Sequence, residues 1–312
     1  MAKKKPYRFF VYLAARFNAA LLGFLPRRVL MTLARLLGRL TFATVARQRE
    51  SALASLRKVY AAEKSEAEIR ATAEKVFENL SQTAAELLKF KTFSAANIDK
   101  LVDAGSAADV YGQLLAEGRG LISITPHFGN WELLAGYFGL KGFKGAVMAR
   151  KIYYEPYNRW IVGIRAKLNV RTIYRTGATR EILELLGRGE ILGLLPDQDI
   201  NSVRGAFVPF FGRLAYTPVA PVRLALSSGA PLVTNFMVRQ GLHYKLVIGR
   251  VIRPKIETTR EAAEEKFTAE WMAEFEKIIR QYPEQYAWMH NRWRTQPGQE
   301  RFKSRTGKVA AK

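Results

Sequence analysis

Cysteine is absent from the 312-residue chain, which excludes a disulfide framework, a thiolate metal site and a thiol nucleophile. That fits a reducing compartment. Histidine is scarce, with His127, His243 and His290 alone, and this argues against a histidine-rich metal centre. Acidic residues are also short: 27 stand against 50 basic ones, a formal net charge of +23. The imbalance is polarised. Residues 1–60 hold thirteen Lys/Arg against Glu50 alone, and residues 288–312 hold seven against Glu300. Such a distribution suits an anionic partner: membrane phosphates, nucleic acid or an acidic carrier protein. A long clean apolar run is missing too. Phe9 to Leu25 is interrupted by Arg16 and Asn18 and closed by Pro26, short of the ~20 apolar residues that span a bilayer comfortably. With no small-residue cleavage site before a secreted domain, the expectation is an uncleaved anchor, spanning or interfacial, with Lys3–Lys5 on the cytoplasmic side.

Apolar residues are plentiful at 48%, with 12% aromatic, enough for a sizeable core. At 100° per residue, Arg28, Arg35 and Arg39 fall on one face of a helix from Arg28 to about Arg47, and Leu30, Leu33, Leu36, Leu37 and Leu40 fall opposite. A basic stripe backed by leucines suits an interfacial helix meeting anionic headgroups. Two further helices follow, separated near Tyr60–Ser65, and Ser65 with Glu68 is a capping-box pattern. From Ile98 onward, short β-branched runs (121–125, 146–149, 170–174, 191–195, 232–237, 244–252) alternate with helical ones (107–117, 131–138, 156–168, 179–186, 218–228), before a last helix over 261–280. The predicted fold is α/β: a mixed, mostly parallel sheet flanked by helices, with a hairpin near Gln240-Gly241 and an N-terminal helical membrane-anchor region. We divide the chain into an anchor over 1–60, a catalytic domain over 61–297 and a basic disordered tail over 298–312.

The most informative stretch is Gly118-Arg-Gly-Leu-Ile-Ser-Ile-Thr-Pro-His127-Phe-Gly-Asn-Trp-Glu132. It reads as a buried strand, a loop broken by Pro126 and Gly129, and a helix capped by Asn130. Five positions in a continuous helix amount to about 500°, so His127 and Glu132 converge only if the loop brings them together. An imidazole oriented by a carboxylate is what general-base activation of a hydroxyl requires. His127 is the expected base and Glu132 the group that orients it.

This H-x4-E spacing resembles the late (lauroyl/myristoyl-type) acyltransferases of lipid A biosynthesis. So do Leu195-Pro-Asp-Gln-Asp199, Phe207-Val-Pro-Phe-Phe-Gly212 and Pro283-Glu-Gln-Tyr-Ala-Trp-Met-His-Asn-Arg-Trp293. The resemblance implies transfer of a fatty acyl chain from acyl carrier protein, or from acyl-CoA, to a hydroxyl of a lipid A precursor. It also implies a place at the cytoplasmic face of the inner membrane, and no cofactor. Such chemistry needs donors for an oxyanion. Arg150, after a strand end, is the expected one and matches an arginine associated with the family's active site; Asn130 and the backbone N–H groups near Gly129 are further candidates. Arg175 is a candidate for phosphate or the carrier's phosphopantetheine, or else a solvated arginine. Asp197 and Asp199, two apart, have the spacing of hard-metal ligands; a polar turn with Asp197 and Gln198 at the site's rim is the more economical reading, and no metal is expected. Phe207, Phe210 and Phe211 are expected to line the acyl groove, with plain core as the alternative. His243 is placed beside a turn, and His290 in an aromatic block that closes the core. Two other functions stay open: an acyltransferase acting on a phosphatidylinositol mannoside or lysolipid, and a basic nucleic-acid binder, against which no recognisable nucleic-acid motif is found.

Overall fold

The computed structural model describes residues 7–301. Four helices come first: α1 (Tyr7–Phe24), α2 (Arg27–Thr44), α3 (Ala46–Tyr60) and α4 (Glu66–Glu86). Pro26 separates the first two, because the residue before a proline disfavours helical backbone. Ser65 starts α4 with a complete capping box: its backbone N–H donates to Glu68 Oε2 at 2.8 Å while its hydroxyl accepts from the Glu68 N–H. The short β1 (Val102–Asp103) leads into α5 (Ala107–Ala116), β2 (Leu121–Ile124), α6 (Trp131–Leu140), β3 (Gly145–Ala149), α7 (Glu155–Ala166) and β4 (Val170–Tyr174). Next come α8 (Thr179–Gly187), β5 (Ile191–Leu194), a hairpin of β6 (Gly205–Phe210) and β7 (Arg213–Pro218), and α9 (Ala220–Ser228). The paired β8 (Leu232–Gln240) and β9 (His243–Ile252) precede α10 (Arg260–Gln281).

The main sheet has seven strands in the order β1-β9-β8-β2-β5-β3-β4. The stretch from β8 to β4 is parallel; β9 runs antiparallel to β8, and β1 follows β9. Successive side chains alternate between two cores, as the pleat requires. Ile122, Leu192, Leu194 and Phe236 join α3, α4, α8, α9 and α10 on one face. Leu121, Ile191, Val233 and Met237 join α5, α6 and α7 on the other. The expected mixed, mostly parallel α/β sheet is therefore present, and the hairpin turns at Gly241-Leu242, between Gln240 and His243.

The N-terminal layer is tied to the sheet by a buried charge. Glu86, 0% exposed at the end of α4, takes Arg27 from α2 at 2.5 Å, Arg239 from β8 at 3.2 Å, and the hydroxyl of Tyr244 from β9. A carboxylate so far from water is tolerable only when fully partnered.

Two expectations need correction. The stripe of Arg28, Arg35 and Arg39 is exposed but partly neutralised: Arg35 and Arg39 reach across to Glu78 of α4, at 3.4 and 2.5 Å. α2 also turns outward its apolar row, Val29, Leu33, Leu36, Leu37 and Leu40, while Leu30 is buried with Met31 and Phe42. No single described helix is long and apolar enough to cross a membrane, and the pair α2–α3 that has the composition is bent by 90°. The second correction concerns Phe207-Val-Pro-Phe-Phe-Gly212, which forms the β6–β7 hairpin. Its two-residue turn places Phe211 at φ +51° and Gly212 at φ +70°, the backbone of a primed turn. Phe211 tolerates that backbone because its N–H donates to Glu276 at 2.5 Å and its ring packs on Tyr60 and Trp288. Lys3–Lys5 and nearly all of the expected basic tail lie outside the described residues.

Candidate active site

The loop between β2 and α6 is held by its own backbone at every step. His127 N–H donates to Asp197 Oδ2 (2.9 Å), Phe128 N–H to Pro126 O (2.7 Å), Gly129 N–H to Gln285 O (2.9 Å) and Asn130 N–H to Met237 O (3.1 Å). Gly129 sits at φ +55°, and a Cβ there would lie 1.9 Å from Met237 O. Only glycine accepts both the backbone and the approach. These bonds spend the N–H groups that were expected to meet an oxyanion. Asn130 is spent as well: it is fully buried, its side-chain oxygen accepts from the Leu133 N–H as the cap of α6, and its amide nitrogen donates to Tyr244 Oη.

The partner of His127 is Asp197. Its Oδ1 lies 2.7 Å from Nδ1, so one carboxylate grips both the ring and the backbone of the same histidine. Asp197 arrives just beyond β5, the strand paired with β2 in register, with Ile124 opposite Leu194. Burial alone would disfavour the charged imidazole, but the charge and hydrogen bond of Asp197, with a smaller pull from Glu132, outweigh it and raise the His127 pKa. Burial would likewise raise the Asp197 carboxyl; the His127 ring, with His290 beyond it, holds it below the usual carboxylate range. Both shifts describe one stabilised pair in which Nδ1 is committed to Asp197. Nε2 is the nitrogen left to take a proton from a substrate.

Glu132 does not orient the imidazole. Starting the first turn of α6, it is drawn into a bidentate pair with Arg165 of α7, Oε2 to Nε at 2.8 Å and Oε1 to Nη2 at 2.6 Å. The loop does not overcome the angular separation along the chain, so Glu132 acts on His127 only through its charge. Arg165 was not singled out from the sequence; nothing in its local pattern distinguishes it. His290 was placed in a core-closing block, yet its ring centroid is 4.9 Å from that of His127, and its Nε2 is 3.4 Å from Gln198 Nε2. Burial lowers its pKa, so a neutral ring lies beside the His127–Asp197 pair. The block does close a core, through Trp288, Trp293 and the buried Arg292. His243 is exposed at the β8–β9 turn.

These groups meet in a pocket of about 340 Å³ lined by His127, Glu132, Arg150, Arg165, Arg175 and Gln198, among others. It lies beyond the carboxyl ends of parallel strands, where open α/β sheets place their ligands. Arg150 and Arg175, both exposed, line the pocket, and their guanidinium groups have no hydrogen-bond or ion-pair partner among the described residues. Asp199 is directed elsewhere: it accepts from Thr295 N and Oγ1 at 2.7 and 2.6 Å, so the two aspartates do not converge on a common point. Phe207, Phe210 and Phe211 do not line this pocket. Phe210 and Phe211 are core residues against Trp293 and Trp288, and Phe207 packs on Tyr216. The apolar space beside His127 is instead a narrow slot of about 50 Å³ under α6, lined by Trp131, Leu134, Phe138, Val147 and Gly193.

The known sequences that the chain resembles are acyltransferases. The lauroyltransferase of lipid A biosynthesis from Escherichia coli (strain K12) is 29% identical over 186 residues, 58% of this chain and 58% of its own length. The palmitoleoyltransferase of lipid A biosynthesis from the same organism is 31% identical over 191 residues, with the same coverage of both chains. A phosphatidylinositol mannoside acyltransferase of Mycobacterium tuberculosis (strain CDC 1551 / Oshkosh) is 26% identical over 143 residues, 45% of this chain and 44% of its own. The chain thus matches just over half the length of its lipid A relatives. Over residues 2–295 it matches the family described as bacterial lipid A biosynthesis acyltransferase, and to that family it belongs.

Proposed function

We propose that the protein transfers a fatty acyl chain from a thioester, on acyl carrier protein or coenzyme A, to a hydroxyl of a lipid A precursor. The observation that carries this reading is the His127 imidazole, locked through Nδ1 by Asp197 at a pocket holding two unpartnered arginines. His127 Nε2 accepts the proton of the acceptor hydroxyl as its oxygen attacks the thioester carbonyl. The tetrahedral oxyanion takes the charge of Arg150. The C–S bond then breaks, and the imidazolium returns its proton to the departing thiolate. Asp197 keeps the ring in one tautomer and stabilises its charged form, while the Glu132–Arg165 pair braces the opposite wall. No cofactor is required, because the thioester is already activated. The narrow slot under α6 takes the part of the donor's hydrocarbon chain nearest the thioester.

The apolar rows of α1 and α2, with Phe10 67% and Leu37 57% exposed, support a seat on a membrane. The phosphatidylinositol mannoside relative keeps a second acceptor open within the same chemistry. Mass spectrometry of lipid A from cells with and without the gene tests the proposal. Loss of one secondary acyl chain, restored by wild type and not by His127→Ala, is expected. Unchanged lipid A would overturn the acceptor assignment, and full restoration by His127→Ala would remove the base.

A further inference from the structure

Acyl transfer joins two molecules that each carry hydrocarbon, yet the slot under α6 measures only about 50 Å³. A second apolar compartment opens on the other face of the sheet. It holds about 580 Å³ between α8 and α9, with Ile182, Leu183, Leu194, Pro196, Val203 and Leu224 in its walls. It adjoins the catalytic pocket: Met148, Arg175, Leu195 and Ile200 line both. The strand pleat makes this division: Val147 faces the slot, and its neighbour Met148 faces the large cavity.

The rim of the cavity is cationic. Arg175, Arg223 and Arg260 line it. Arg223 and Arg260 each approach one oxygen of Glu264, at 3.5 Å, while Arg204 already occupies its other oxygen at 2.9 Å. Glu264 itself is buried, and its Oε1 makes no hydrogen bond. Three guanidinium groups thus share that carboxylate, with only the exposed Glu261 added on Arg204, and Arg175 has no anionic partner among the described residues. The surplus positive charge sits beside aliphatic walls whose polar groups are short hydroxyls, Thr176, Thr179, Ser202 and Ser227.

We propose that this cavity is the acceptor's seat. It takes an acyl chain of a phosphorylated lipid between α8 and α9, with the lipid's phosphate at the rim of Arg175, Arg223 and Arg260. The sheet's carboxyl edge then separates donor chain from acceptor chain, and the acceptor's hydroxyl is carried past Arg175 to His127. This assignment rests on the acyl-transfer reading above.

The test is equilibrium binding of dodecyl phosphate and of uncharged dodecyl glucoside, both below micelle-forming concentration. Wild type and His127→Ala are expected to bind the phosphate equally, about tenfold tighter than the glucoside, since phosphate–arginine contacts are charge-assisted. Arg175→Gln/Arg223→Gln is expected to erase that preference. Leu224→Trp, which fills the cavity, and Thr179→Phe, at its exposed mouth, are expected to weaken both ligands. Unchanged binding by the folded Leu224→Trp and Thr179→Phe variants would overturn the site. In turnover with an acyl-CoA donor, the same variants are expected to raise KM for the acceptor and leave that of the donor. A rise in donor KM alone would give the cavity to the donor and overturn the assignment. Binding without transfer to any lipid by wild type would uphold the site and sink the transfer reading.

Discussion

Gly129 shows how little freedom the loop bearing His127 has. Its left-handed backbone and the 1.9 Å approach of Met237 O leave no room for a Cβ. Gly129→Ala therefore carries about 1–2 kcal/mol of backbone strain before any clash, and relief requires the loop that bears His127 to move. A loss in kcat/KM well beyond the loss in thermal stability is expected, checked by parallel kinetics and melting curves. At this scale His127 was legible, because a strand, a Pro/Gly-broken loop and a capped helix place it at a strand end. Asp197 was not legible as its partner. It is 70 residues away, and only the β2–β5 pairing brings it there; strand order is a tertiary property that no local pattern encodes. Glu132 was nearer in sequence and wrong in direction, since the first turn of α6 turns it toward Arg165.

Among the elements, the Glu86 cluster joins α2 and α4 to the β8–β9 hairpin. Glu86→Gln keeps the shape but leaves the buried Arg239 without its countercharge. Breaking one side of such a pair costs about 3–5 kcal/mol. The expected result is a clear fall in melting temperature, with the N-terminal helices the first to become protease-sensitive. A variant as stable as wild type would show that the cluster does not hold the layers together. Most helices and strands were readable here, because apolar period and caps act locally: β3, β4 and β5 agree with their sequence patterns within a residue at each end. The β6–β7 hairpin was missed because its phenylalanines read as a binding surface, and its turn puts Phe211 where glycine or asparagine is usual. The two-residue β1 is too short for any alternation to register.

Across the whole molecule, charge and apolar surface are arranged together. Arg35 and Arg39 of α2 pair with Glu78, and Leu33, Leu36, Leu37 and Leu40 turn out. The exposed row on α2 is thus available to an acyl-chain boundary rather than to headgroups alone. Full burial of one leucine is worth about 1.5–3 kcal/mol, so Leu36→Glu/Leu37→Glu is expected to lower partitioning onto anionic vesicles by tenfold or more. Flotation assays check this; binding equal to wild type would mean that the leucines do not enter the bilayer. The basic composition predicted an anionic partner, but the pairing of Arg35 and Arg39 with Glu78 was not legible, because it depends on how α2 packs against α4.

The most direct test of the site is the pH dependence of acyl transfer by wild type, Asp197→Asn and Glu132→Gln. Protonation disables His127 as a base, so kcat/KM falls as pH drops through its raised pKa; the wild-type acid limb is expected above the ordinary imidazole value of about 6.5. Asp197→Asn removes the charge that raises it. Its acid limb is expected to move to lower pH, while the rate falls by about 10³–10⁴ from the lost tautomer. Glu132→Gln is expected to lower kcat/KM through the loosened Arg165 wall, with its acid limb near the wild-type position. An acid limb that shifts in Glu132→Gln and stays fixed in Asp197→Asn would contradict the assignment and return the orienting role to Glu132.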